Sequence, residues 1–184
     1  MELHTDIYYI EKILAGDVSC FGIFLDRYDR QVYTLIFRIV GNKEDAEELT
    51  QDVFMKAFRS LNSFKRESKF STWLYRIAYN TAISETRKRK QEVLSFDESR
   101  ITNVSEEDVN NVIGNIDNTE QIEMLETALM ILPTEERALI LLFYMQEKSV
   151  EEIAEISGLS ISNVKTRLFR IRKKLYVLLT KKED

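Results

Sequence analysis

Apolar residues return every three or four positions along most of this chain, and little interrupts them. Between Phe21 and Ile39 they stand at 21, 24, 25, 28, 32, 35, 36 and 39, the repeat of a helix of about five turns. One proline and five glycines in 184 residues leave few places to break such a pattern. No strand-like alternation competes with it, so the chain is expected to be all-α. Gly41-Asn42 is the first stop. From Glu44 the period restarts, with Ala46, Leu49, Val53 and Ala57 on one side and Phe54 and Phe58 beside them. Asn62 to Ser71 breaks it. Phe70, Trp73, Leu74, Ile77, Ala78 and Ala82 restore it, and Arg87-Lys88-Arg89-Lys90 closes that helix with cations where its dipole favours them. With Ile7 to Leu14, this predicts a helical bundle over residues 1–90.

From Gln91 to about Asn118 the periodicity fails and Asp, Glu, Asn and Ser accumulate. The stretch 91–119 therefore reads as an acidic, flexible linker. Ile122, Leu125, Leu129 and Leu132 resume the helix pattern. Residues 120–184 are expected to form a second domain, with helices near 120–131, 134–145, 149–156 and 161–179. The architecture is two small helical domains joined by an acidic tether.

The net charge of −5 argues against a nucleic-acid partner until it is divided along the chain. Residues 1–90 carry 15 basic and 13 acidic residues, and residues 131–184 carry 10 and 8, so both ends are mildly basic. Residues 91–130 hold 1 basic and 10 acidic, and they supply the acidity. Binding responds to local fields rather than to the mean.

Other classes drop out quickly. No apolar run approaches the roughly 20 residues that span a bilayer. The start Met1-Glu2-Leu3-His4-Thr5-Asp6 lacks the basic region of a secretion signal, so a cytoplasmic location is expected. Cys20 has no partner for a disulfide, and with His4 as the sole histidine no metal site or other cofactor is expected. Cys20 precedes an apolar helix and reads as a small, buried or half-buried thiol. No nucleophile–base pair or phosphate-cradling glycine loop appears, which argues against an enzyme and a small-molecule substrate.

The carboxy-terminal fifty residues carry the sharpest chemistry. Ser149 and Glu152 are placed to form a capping box. Gly158 supplies the left-handed residue that ends one helix, and Ser160 can cap the next. Val164, Leu168, Ile171 and Leu175 fall on the inward side of that helix. Ser162, Asn163, Lys165, Thr166, Arg167 and Arg170 are left off the core. Residues 160–182 hold eight basic residues and no acid. Two short capped helices with a cationic second member read as a helix-turn-helix for the major groove. Asn suits adenine and Arg suits guanine, while Lys and Ser suit phosphates. The plain alternative is a solvated basic face on an ordinary three-helix bundle.

In the amino-terminal half, Phe64-Lys65-Arg66-Glu67-Ser68-Lys69-Phe70 mixes aromatic and cationic residues and leads into Trp73, Tyr75, Arg76, Tyr79 and Asn80. Aromatic faces stack unpaired bases while cations hold the strand. Phe70, Trp73, Leu74 and Ile77 are equally a core stripe, and taken alone that reading is the stronger, above all for Trp73. Glu44, Asp45, Glu47, Glu48 and Asp52 crowd one end of the preceding helix. Helix-dipole chemistry accounts for part of this. A solvated face and a face that docks on a basic protein fit the remainder equally well.

These residues resemble an extracytoplasmic-function (ECF) sigma factor, the compact branch of the sigma-70 family. Gly41 to Phe54 is similar to the family segment that binds the clamp coiled coil of RNA polymerase. Phe70 to Asn80 is similar to its promoter-melting segment. Leu132-Pro133 through Arg137, Glu152-Ile153-Ala154 and Val164 to Leu168 are similar to its fourth region. The resemblance implies a dissociable subunit that gives core polymerase its promoter specificity. It implies contacts to the polymerase clamp and flap, to promoter DNA, and to an anti-sigma factor. By the same resemblance, Asp45, Glu48, Leu49, Gln51, Asp52 and Phe54 meet polymerase. Asn62, Lys65, Lys69, Arg76, Asn80 and Arg87 take the minus-ten element as melted strand. Ser162, Asn163, Lys165, Thr166, Arg167 and Arg170 read the minus-thirty-five element as duplex. The acidic tether threads the polymerase cleft. Two positions depart from the family pattern: Ser84 stands where Asp is common, and Asn163 where Thr is common.

The rival is a two-domain helix-turn-helix regulator of the response-regulator type, whose carboxy-terminal helices look alike. Such a protein needs alternating strands and helices at its start, and residues 1–90 predict helices alone. In this reading the two cationic modules are held apart by the tether, although closure of one core on the other would hide both DNA faces.

Overall fold

The computed structural model describes residues 4–89, 98–114, 116 and 119–180. Lys90, residues 91–97 of the expected linker, and Lys181 and Lys182 of the basic tail lie outside the described residues. Helices α1 (Asp6–Leu14), α2 (Gly22–Val40), α3 (Lys43–Ser60) and α4 (Phe70–Lys88) form the amino-terminal bundle. After a 3-10 turn at Glu98–Ile101 come α5 (Glu106–Ile113), α6 (Thr119–Ile131), α7 (Thr134–Tyr144), α8 (Val150–Ser157) and α9 (Ile161–Leu179). No strand occurs among the described residues.

Local chemistry explains the boundaries. Gly41 is left-handed, at φ 75°, and its amide donates to the Phe37 carbonyl at 2.7 Å, which closes α2. Asn42 then caps α3, its side-chain oxygen accepting from the Asp45 amide at 2.9 Å. The α2–α3–α4 core is made by Val32, Leu35, Ile36 and Ile39, by Ala46, Val53 and Ala57, and by Leu74, Ala78 and Ala82, all fully buried. One end is filled by aromatic rings. Phe24 lies 4.2 Å from Phe70, and Trp73 sits 5.4 Å from Phe64 and 5.7 Å from Phe70. Trp73 is thus a packing residue in this conformation, and edge and tilted contacts of this kind add to the area it buries. Asp6 pins α1 to α2, accepting from Arg27 and from the Tyr28 hydroxyl, each at 2.5 Å.

In the second half the capping box is complete. Ser149 Oγ accepts from the Glu152 amide at 3.1 Å, and Glu152 accepts from the Ser149 amide at 3.0 Å. Gly158 is left-handed at φ 73°, and Ser160 Oγ accepts from the Asn163 amide at 3.2 Å to start α9. Val164, Leu168, Ile171 and Leu175 face inward, as their spacing predicts.

The structure departs from the expectations in three places. First, residues 98–113 are not an extended tether. Ser105 caps α5, and three acids occupy its first turn. Val109 and Ile101 are buried, and both elements pack on α9. With Val109 as its one buried residue α5 shows no apolar period, so its polar composition concealed it. Second, Lys174 points inward instead of joining the cationic face. Its ammonium meets the Glu136 carboxylate at 2.8 Å. Third, the two halves touch. Helix α4 runs against α8, α2 runs against α7, and one apolar core is continuous through both. Arg137 crosses the junction, buried to 4% exposure. It donates to the Ile39 carbonyl on α2 at 3.0 Å and to the Met130 and Leu132 carbonyls at 3.0 and 3.1 Å. Among the described residues no carboxylate pairs with it, and burial pushes its guanidinium below the usual arginine range.

Candidate nucleic-acid and polymerase interface

Helix α9 begins on a cap with no acid in its first turn, so its first amides and its side chains face outward with one sign of charge. Ser162, Asn163, Lys165, Thr166 and Arg170 are exposed, and Arg167 is half-buried. Their positions are i, i+1, i+3, i+4, i+5 and i+8, an arc across one side of the helix. Arg167 Nε donates to Asn163 Oδ1 at 2.9 Å, and Thr166 Oγ1 donates to the Ser162 carbonyl at 3.0 Å. The first contact holds a guanidinium flat beside an amide, so the two residues present one fork of donors. All six expected reading residues are brought together.

The six residues expected at the minus-ten element are not. Asn62 and Lys65 are exposed on the loop between α3 and α4. That loop turns through Arg66, which is left-handed at φ 61° and pairs with Glu11 at 2.8 Å. Arg76 and Asn80 are exposed on α4. Asn80 lines a groove of about 340 Å³ between α3 and α4, together with Lys56, Ser60, Thr81, Ser84 and Lys88. Lys56 donates to Thr81 Oγ1 at 3.1 Å. Lys56 escaped the sequence reading, and Lys88 entered it only as part of the basic run that closes α4. The antiparallel pairing of α3 with α4 lays the last two turns of α3 along the middle of α4, which puts Lys56 and Ser60 beside Asn80 and Thr81. Lys69 and Arg87 instead reach across to the second half, Lys69 to Glu152 at 3.3 Å and Arg87 to Glu135.

On α3, Glu48, Gln51 and Asp52 are exposed, with Lys56 at 3.8 Å from Asp52. Leu49 and Phe54 are buried, at 8% and 4% exposure. In this conformation both fill the core beneath the exposed acids. Asp45 is engaged as well. It accepts from the guanidinium of Arg89 at the end of α4, which holds its carboxyl below the usual carboxylate range. Among the described residues no cluster of His, Cys, Asp and Glu could hold a metal ion. No helix among them is long and apolar enough to cross a membrane. Cys20 is half-buried, and its thiol donates to Asp17 at 3.2 Å.

Comparison with known proteins agrees with this geometry. The family model for sigma-70 region 2 matches residues 24–92, and that for sigma-70 region 4 matches residues 122–175. The chain is 33% identical over 172 residues to the ECF RNA polymerase sigma factor SigW of Bacillus subtilis, covering 90% of this chain and 92% of that one. It is 33% identical over 175 residues to the ECF RNA polymerase sigma-E factor of Escherichia coli K12, covering 91% of each. Among solved structures, it is similar to the sigma factor RpoE in complex with the anti-sigma factor NepR from Bartonella quintana. There the TM-score is 0.65 and the identity 27%, over 89% of this chain and 98% of that one. CnrH, in complex with the cytosolic domain of CnrY, shares the fold at TM-score 0.69 and 23% identity, over 95% of this chain and 96% of that one. With family models matched in both halves and relatives matched over nine-tenths of its length, the chain belongs to the ECF group of the sigma-70 family of RNA polymerase sigma factors.

Proposed function

We propose that this sigma factor binds core RNA polymerase in the cytoplasm and directs it to promoters by presenting two reading surfaces. Helix α9 enters the major groove at the minus-thirty-five element through Ser162, Asn163, Lys165, Thr166, Arg167 and Arg170. Arg167 and Asn163 meet base edges, and the hydroxyls and Lys165 hold phosphates. The minus-ten element is held as melted strand by Asn62, Lys65, Lys69, Arg76, Asn80 and Arg87. Asn80 and the α3–α4 groove form one part of that surface, and the cations at the two ends of α4 form another. On α3, Glu48, Gln51 and Asp52 meet polymerase, with Asp45, Leu49 and Phe54 holding the helix in place. Catalysis of bond chemistry belongs to the polymerase, and this chain acts by differential binding. An anti-sigma partner is part of the reading, since a relative of the same fold is in complex with one.

The observation that carries the proposal is the acid-free face of α9 exposed beyond a completed helix-turn-helix. A regulator with a receiver domain does not fit, because residues 4–89 contain helices and turns only. Run-off transcription with core polymerase on genomic fragments tests the function. Defined start sites that need both core enzyme and this protein are expected, and core enzyme that ignores the protein would refute it.

A further inference from the structure

Helix α1 is anchored through Ile10 and Ile13, which are buried against the bundle. Tyr8 and Lys12 stand one turn apart on the opposite side of that helix. The His4 imidazole stacks on the Tyr8 ring, with 4.1 Å between centroids and 24° between planes. Tyr9 is edge-on to both, 5.2 Å from Tyr8 and 6.2 Å from His4. Arg27 on α2 lies 5.1 Å from the Tyr9 centroid and donates to the His4 carbonyl at 2.8 Å, which fixes the group in place. Lys12 Nζ lies 5.1 Å from the Tyr8 centroid, and both His4 and Lys12 are exposed. The two carboxylates of α1 are engaged, Asp6 by Arg27 and Tyr28, and Glu11 by Arg66 at 2.8 Å. Arg66 belongs to the loop between α3 and α4, so its pair with Glu11, a neighbour of Tyr8 on the helix surface, sets the ring stack beside that loop.

We propose that His4 and Tyr8 are a stacking platform for one unpaired promoter base just past the minus-ten element on its start-site side, with Lys12 and Arg66 against the flanking phosphates. This rests on the reading of the α3–α4 loop as a strand-binding surface given above. Single strands are held by flat rings under their bases and cations along their phosphates. Here the two occur together where a strand leaving the loop would pass. Duplex DNA offers no free base face, and toward the minus-thirty-five element the promoter is read as duplex. The base that the platform takes therefore lies on the other side of the minus-ten element. His4 itself shows that the Tyr8 ring accepts a flat nitrogen heterocycle, and the exposed imidazole extends the stack toward solvent. Stacking tolerates any base, so the platform lengthens the life of the open complex more than it selects a sequence.

The test uses holoenzyme assembled from core polymerase and the full chain, on a promoter with a pre-melted bubble. The fluorescent base 2-aminopurine is placed at successive positions from the minus-ten element to the start site. Stacking quenches it, so one position past the element should be dim with the natural chain. His4→Ala with Tyr8→Ala should brighten that position and shorten the life of the complex about 5- to 50-fold. Tyr8→Phe keeps the ring and should preserve both readings. His4→Ala with Lys12→Gln leaves the buried side of α1 untouched and should still shorten the lifetime about 3- to 10-fold. Arg30→Gln, a change of charge at an exposed position of α2, should alter it less than about 2-fold. Equal losses from Arg30→Gln and from the His4 and Lys12 pair would reduce the effect to net charge and overturn the proposal. Unchanged 2-aminopurine fluorescence in variants with native circular dichroism would also overturn it. Substitutions in the minus-ten element separate the two readings. If the natural holoenzyme discriminates among them and the platform variants match it in lifetime and fluorescence, the platform alone is wrong. If the natural holoenzyme ignores them, the strand-binding reading falls and takes the platform with it.

Discussion

Arg167 and Lys174 show how position on one helix divides residues of the same charge. They are seven positions apart on α9, yet Arg167 lies beside Asn163 on the outer arc while Lys174 is buried against Glu136. Arg167→Ala should cost about 1–3 kcal/mol on promoters that keep the base it reads. A binding series over substituted minus-thirty-five duplexes checks this, and a loss uniform across sequences would mark a phosphate contact instead. Lys174→Ala should cost about 2–3 kcal/mol of folding stability, because it strands a partly buried carboxylate. Urea unfolding measures that loss, and DNA discrimination by the folded variant should not change. Asp45 adds a pH dependence. Its folded pKa is depressed by Arg89, so its stabilisation is present in full above the unfolded value of about 3.9 and is lost as pH falls through the folded value. Asp45→Asn should therefore flatten the acid limb of a stability profile below about pH 4.

Elements fold here for reasons mostly local to them. Caps at Asn42, Ser105, Ser149 and Ser160 begin four helices, and left-handed glycines at 41 and 158 end two. Gly158→Ala meets no steric obstacle, but it forces a Cβ into the left-handed region. It should cost about 1–2 kcal/mol, visible as a lower melting temperature. On α3, the exposed acids and the buried Leu49 and Phe54 share one helix but not one duty. Glu48→Lys with Asp52→Lys should abolish co-purification with core polymerase while leaving helicity intact by circular dichroism. Asp45→Lys is a poorer probe, since it removes the Arg89 partner and disturbs the end of α4 as well. Helix positions were legible because each apolar face runs for several turns. Helix α5 was not, because eight residues with one buried valine make no period. Nor was the place of Lys56 in one groove with Asn80 and Lys88, which depends on how α3 and α4 pair.

At the scale of the whole molecule, the halves expected to stand apart share a core, and a buried arginine bridges them. Arg137 satisfies backbone carbonyls on α2 and before α7, and those carbonyls offset the cost of burying its charge. Arg137→Gln should loosen the junction. Small-angle scattering should then report a radius of gyration above the roughly 16 Å expected of a compact chain of this length, with each bundle still helical.

Helix positions, the inward and outward faces of α9 and the basic character of both ends follow from the order of residues, because capping and periodicity act over a few neighbours. Whether Lys69 and Arg87 stand open or meet Glu152 and Glu135 was decided only by the fold. Those pairs join residues 83 and 48 positions apart, and surface ion pairs leave no trace in local pattern. They arise only once apolar burial has drawn α4 against α7 and α8.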